Sequence, residues 1–243
     1  MGGCVCSNPW FSDDGINGWI GCKMDDSECF TAYCELCRKL NVFFGKYIAA
    51  YCRNCQQVLR RLPGGECYKL TAGVFPGCCH RGAGDIFRLE GVESGSKLSD
   101  GITALLQKAR NDRMKTMEAF EPLYELENCR TGERLVGEHC RYFGTCGCCL
   151  DELKGPLCIN FICPPIRDDL LEAAGDDGWI VGPEHDFLGI YQLLSLLGTV
   201  SKIRWQQEAA AFDSRLSKLD KACERFVAGR RQKSLYDCFC LAA

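Results

Sequence analysis

Two C-x-x-C pairs constrain this chain more than any other feature. Cys34 and Cys37, then Cys52 and Cys55, stand in CELCRKLNVFFGKYIAAYCRNC with fourteen residues between the pairs. Thiols three apart on a tight turn can reach one ion, and two such pairs complete a tetrahedral zinc site with Zn–S distances of about 2.3 Å. The spacing predicts a four-cysteine zinc site at these positions. Buried thiols on helices and a redox pair are the alternatives.

The chain carries 21 cysteines in 243 residues. That many thiols fit either disulfides in an oxidising compartment or metal thiolates in a reducing one. The start, MGGCVCSNPWFSDDGINGW, has neither the basic nor the apolar region of a secretory leader. The longest apolar tract, FLGIYQLLSLLGTV, is too short to span a bilayer. These features predict an intracellular chain with reduced cysteines. A net charge of −3 gives no overall pull toward nucleic acid, so any such binding needs a local basic patch.

Further ligand types flank the first pairs. Cys22 and Cys29 lie upstream; Cys67, Cys78, Cys79 and His80 lie downstream. Their order allows two sites, sequential or interleaved. An interleaved set resembles the RING cross-brace, although no Cys-x-His precedes Cys52 and a CC-H run replaces the final C-x-x-C. A second cluster, HCRYFGTCGCCLDELKGPLCINFIC, holds six thiols and His139. Cys140, Cys146, Cys149 and Cys158 are the expected ligands there, with a cysteine-rich apolar core as the alternative. Together these residues predict one to three structural zinc ions. Only three histidines exist, His80, His139 and His185, and no local pattern pairs one with a nucleophilic thiol. No phosphate loop, dinucleotide fingerprint or H-E-x-x-H occurs either. Catalysis is not where the residues point.

The expected fold class is α+β, with small zinc-stabilised cysteine-rich modules and a helical C-terminal third. Composition divides the chain into an acylated N-terminal segment (1–20), a zinc-binding module (21–81), a linker with an amphipathic helix (82–128), a second cysteine-rich module (129–185), a helical region (186–229) and a basic tail (230–243). Ser99 is the expected N-cap of a helix carrying Ile102, Leu105, Leu106, Ala109, Met117 and Phe120, and Pro122 ends the pattern. Trp205, Ala209, Phe212, Leu216, Leu219, Cys223 and Phe226 alternate at spacings of four and three, an a/d seam that stops at Gly229. The seam either packs within the chain, against the helix around 187–197, or pairs two copies into a homodimer.

Both ends carry membrane signals. Cys240-Leu241-Ala242-Ala243 fits C-a-a-X. One prenyl chain anchors only marginally, so a second signal is needed. Cys238 offers an acylation site, and Arg230, Arg231 and Lys233 a basic patch worth about 1 kcal/mol per charge on an anionic leaflet. At the other end, MGGCVCSNP resembles the membrane-targeting segment of Src-family kinases, which starts Met-Gly-Cys-Val-Cys-Ser. The resemblance covers about nine residues and implies myristoylation of Gly2 and palmitoylation of Cys4 and Cys6. The inserted Gly3 places Cys6 where that motif wants Ser or Thr. The competing reading makes Cys4-x-Cys6 another metal knuckle.

These features predict a lipid-anchored, zinc-binding scaffold or regulator that contacts partner proteins at the cytoplasmic face of a membrane. A zinc-finger protein of the cytosol or nucleus that binds RNA or DNA through Arg53, Arg60 and Arg61 is the first alternative. A RING-like ubiquitin ligase is the second.

Overall fold

A computed structural model describes residues 22–61, 68–73, 98–117, 123–138, 140–144, 147–175, 180 and 186–240. The class is α+β: helices dominate, and a small antiparallel sheet stands beside them.

Helix α1 (Asp26–Tyr47) opens with a capping box. Asp25 accepts from the Glu28 amide at 2.8 Å, and Glu28 returns a bond to the Asp25 amide at 3.2 Å. Its inner stripe, Cys29, Tyr33, Leu36, Cys37, Leu40, Phe43 and Tyr47, follows the helical period and is buried. The tight turn expected at Cys34-x-x-Cys37 is therefore one turn in the middle of a continuous helix. Short helices α2 (Ala49–Arg53) and α3 (Cys55–Leu59) follow, divided at Asn54.

Strand β1 (Tyr68–Ala72) and strand β3 (Arg134–Glu138) flank β2 (Leu123–Asn128), all antiparallel. Strand β2 falls within the stretch expected to be a linker and an amphipathic helix, and it is the centre of the sheet. Its alternation buries Tyr124, Leu126 and Asn128 and turns Leu123, Glu125 and Glu127 outward. Helix α4 (Asp100–Met114) starts as expected, with the Ser99 hydroxyl accepting from the Ile102 amide at 3.2 Å. It ends earlier than expected, before Met117. Phe120 and Pro122 lie outside the described residues.

The hairpin β4 (Phe143–Gly144) and β5 (Gly147–Cys148) leads to a 3-10 turn at Asp151–Leu153, then α5 (Pro156–Asn160) and α6 (Pro164–Ala174). Helix α7 (Ile190–Ser195) precedes the long α8 (Lys202–Gly229), and α9 (Leu235–Cys240) closes the described chain. Helix α8 ends at the expected glycine. Its seam buries Phe212, Leu219 and Cys223 within the chain, and α6 and α7 pack on it.

Helices α1 and α8 run parallel at a constant offset of 174 residues. Lys202 pairs with Glu28 at 2.7 Å, Lys39 with Asp213 at 2.7 Å, and Lys46 with Asp220 at 2.9 Å. One apolar cluster extends from Cys29 to Tyr236 and takes side chains from both cysteine-rich segments and the C-terminal helices. Burial of this cluster positions the thiols. No helix among the described residues is long and apolar enough to cross a membrane.

Candidate functional site: a convergence of thiols

The two cysteine-rich segments meet around residues 153–154. The 3-10 turn packs on α1 and α4. Arg110 on α4 is buried and donates Nε and Nη2 to the Leu153 carbonyl at 2.7 and 2.5 Å. The Tyr33 hydroxyl donates to the Lys154 carbonyl at 2.5 Å, and Lys154 Nζ donates to Asn41 Oδ1 at 2.6 Å. Two cations are thus fixed among sulfurs drawn from α1, α2, β5 and α5.

Three groupings of thiols result. Desolvation pushes up Cys148 and Cys158, and each feels the charge of Cys140; Cys158 also acts on Cys148. Opposing this, the Leu150 backbone favours the Cys148 thiolate, the Gly155 backbone favours that of Cys158, and Lys154 acts on both. Arg110 adds its field at Cys158. Backbone dipoles and a fixed cation favour thiolate, the form a metal requires, against the larger effect of desolvation. Cys52 and Cys55 instead group with Cys163, the residue before α6. Desolvation, then Cys163 and Cys52, pushes Cys55 up to about 12. Cys34 and Cys37 form the third group, Cys34 being raised to about 11 by desolvation against the pull of Arg38.

Cys52 and Cys55, expected from spacing to share a site with Cys34 and Cys37, have Cys163 from the second cluster as a charge neighbour. Spacing along the chain cannot report a partner 108 residues away. Among the described residues, no three His, Cys, Asp or Glu side chains stand close enough to hold an ion together. Cys67, Cys79, His80 and Cys146, four of the expected ligands, lie outside the described residues. Cys22 is exposed, and its carbonyl accepts from the Lys202 amide at 3.0 Å. Cys29 is buried, with its thiol 3.8 Å from the Met24 carbonyl. Cys149 is half-buried beside the hairpin, its amide donating to the Tyr142 carbonyl at 2.9 Å. A cleft of about 460 Å³ between α1 and α4 has Cys34, Arg38, Arg113 and Glu152 on its walls.

The expected lipid-carrying tail is a docked helix over Leu235–Cys240. Leu235, Tyr236 and Cys238 are buried, and Cys240 is half-buried with Arg61 Nη1 3.5 Å from its sulfur. Tyr236 meets the Tyr51 ring edge-on at 5.3 Å, and Phe239 stacks on Phe226 at 5.2 Å. Lipid transfer to Cys238 or Cys240 would require α9 to leave this seat. Gly2, Cys4 and Cys6 lie outside the described residues.

The basic residues are partly engaged. Arg230 pairs with Glu172 at 3.2 Å and stacks 4.7 Å from the Phe226 ring, whereas Arg231 and Lys233 are exposed. Arg61 forms a two-pronged pair with the buried Asp169 at 2.6 and 2.5 Å, so its charge is matched; Arg53 and Arg60 are exposed. Arg110, Lys154 and Asp169 escape a sequence reading. The one available signal is Arg110 falling on the Ile102–Leu106 stripe of α4, where a charge demands a buried acceptor. No family model matches the chain, and neither a curated protein nor a solved structure matches it.

Proposed function

We propose that this chain is a zinc-thiolate protein whose metal is structural and whose role is to present surfaces to partner proteins. The observation that supports this is that Cys148 and Cys158 lie within electrostatic reach of one another, of Cys140 and of Lys154, with Arg110 acting at Cys158 as well, although the described residues do not by themselves complete a three-ligand site. A dianionic or trianionic thiolate set needs such compensation, and the two cations supply it. Of the other two ligands expected from the sequence, Cys149 is half-buried beside the hairpin and Cys146 lies outside the described residues.

The raised thiols argue against nucleophilic catalysis at these positions. A nucleophilic cysteine requires a depressed pKa, and Cys34, Cys52, Cys55, Cys148 and Cys158 are all moved the other way, first by desolvation. Such thiols ionise near neutral pH when a metal displaces the proton.

Native mass spectrometry of the intact chain, purified under reducing conditions, tests the reading. At least one zinc ion is expected, and the Cys148→Ser, Cys158→Ser double variant should lose one. A metal-free wild type, or an unchanged zinc count in the variant, would overturn it.

A further inference from the structure

Among the described residues, strand β3 is an edge of its sheet. The Asn128 amide donates to the Glu133 carbonyl at 2.8 Å, which sets the alternation along the β2–β3 ladder. With Leu126 opposite Leu135 and Tyr124 opposite Gly137, the main-chain groups of Leu135 and Gly137 face β2. Those of Arg134, Val136 and Glu138 therefore face outward. Among the described residues no strand pairs with that side. The strand also exposes apolar side chains: Leu135 is 51% exposed and Val136 58%. An open edge with exposed β-branched and aliphatic residues is a template for another strand.

The sequence of the strand selects its partner. Arg134-Leu135-Val136-Gly137-Glu138 carries opposite charges at its two ends, equidistant from Val136. We infer that β3 pairs antiparallel with β3 of a second copy of this chain, about a two-fold axis at Val136. Arg134 then faces Glu138 of the partner subunit, and Glu138 faces the partner's Arg134. Centring on Val136 makes all three outward-facing residues hydrogen-bonding positions, which no other register of this strand achieves. Two independent properties, main-chain parity and charge, thus agree on one register. The product is an isologous interface joining two three-stranded sheets into one of six strands. This surface is separate from the α8 seam, whose Phe212, Leu219 and Cys223 are covered within the chain.

Sedimentation equilibrium of the full chain across a dilution series up to about 0.1 mM tests this. The wild type should reach twice the 27.1 kDa chain mass. Val136→Pro removes an outward amide without touching the β2 ladder, and Glu138→Lys sets like charges at both ends of the pairing. Each should weaken association at least about tenfold. The double exchange Arg134→Glu with Glu138→Arg should restore it. A wild type at single-chain mass throughout overturns the inference, and so does a dimer indifferent to both single variants.

Discussion

The Tyr51 hydroxyl donates to Asp169 Oδ2 at 2.7 Å, joining the segment after α1 to α6 in the interior. Asp169 is 2% exposed, and Arg61 binds both of its oxygens. Desolvation, then the carboxylate itself, holds the Tyr51 proton well above the ordinary phenol range. Tyr51→Phe should lower stability by about 1–3 kcal/mol, since a buried acceptor loses a donor. Asp169→Ala should cost about 1–3 kcal/mol, because the buried Tyr51 hydroxyl then loses its acceptor while Arg61 can turn to water. Urea unfolding checks both through the midpoint at constant slope. An unchanged midpoint for Tyr51→Phe would show that this contact does not hold α6 in place.

The parallel pairing of α1 with α8 separates two kinds of contact. Lys39 and Asp213 are half-exposed, and such pairs contribute below about 1 kcal/mol. Phe212, one residue before that aspartate, is fully buried, and its truncation to alanine should cost about 3–5 kcal/mol. The ion pairs set the register, and the seam supplies the stability. Lys39→Ala and Phe212→Ala compared by urea unfolding should differ severalfold, and equal losses would refute this division.

Alkaline pH should unfold the metal-free chain. Desolvation pushes Cys223 up to about 12, Cys55 to about 12 and Cys34 to about 11. An unfolded thiol ionises near 8.5. The folded chain thus keeps protons that the unfolded chain releases, so this contribution is intact below about pH 8.5 and declines toward pH 11–12. Thermal unfolding between pH 8 and 11 should show the decline. Cys223→Ala, at a thiol outside the proposed metal groups, should make it shallower. A parallel decline in the variant would contradict the assignment to Cys223.

Local, periodic signals were readable from the residues. The seam from Trp205 to Phe226, its stop at Gly229 and the Ser99 cap depend only on neighbours within a few residues, and all are present. Helix α1 is harder to read because its C-x-x-C spacing also satisfies the helical period, and burial of Tyr33, Leu40 and Phe43 decides for the helix. The strand Leu123–Asn128 alternates apolar and acidic residues, a period-two signal hidden beside a polar stretch. The grouping of Cys55 with Cys163 and the buried Asp169 and Arg110 depend on contacts between distant segments, which no local pattern encodes.

The central claim is a zinc ion held by sulfur where the two cysteine-rich segments meet. X-ray absorption at the zinc edge, on the full chain, reads the ligands directly. The account predicts a shell dominated by sulfur at about 2.3 Å, diminished in the Cys148→Ser, Cys158→Ser variant. A shell of nitrogen or oxygen alone at about 2.0–2.1 Å would contradict it.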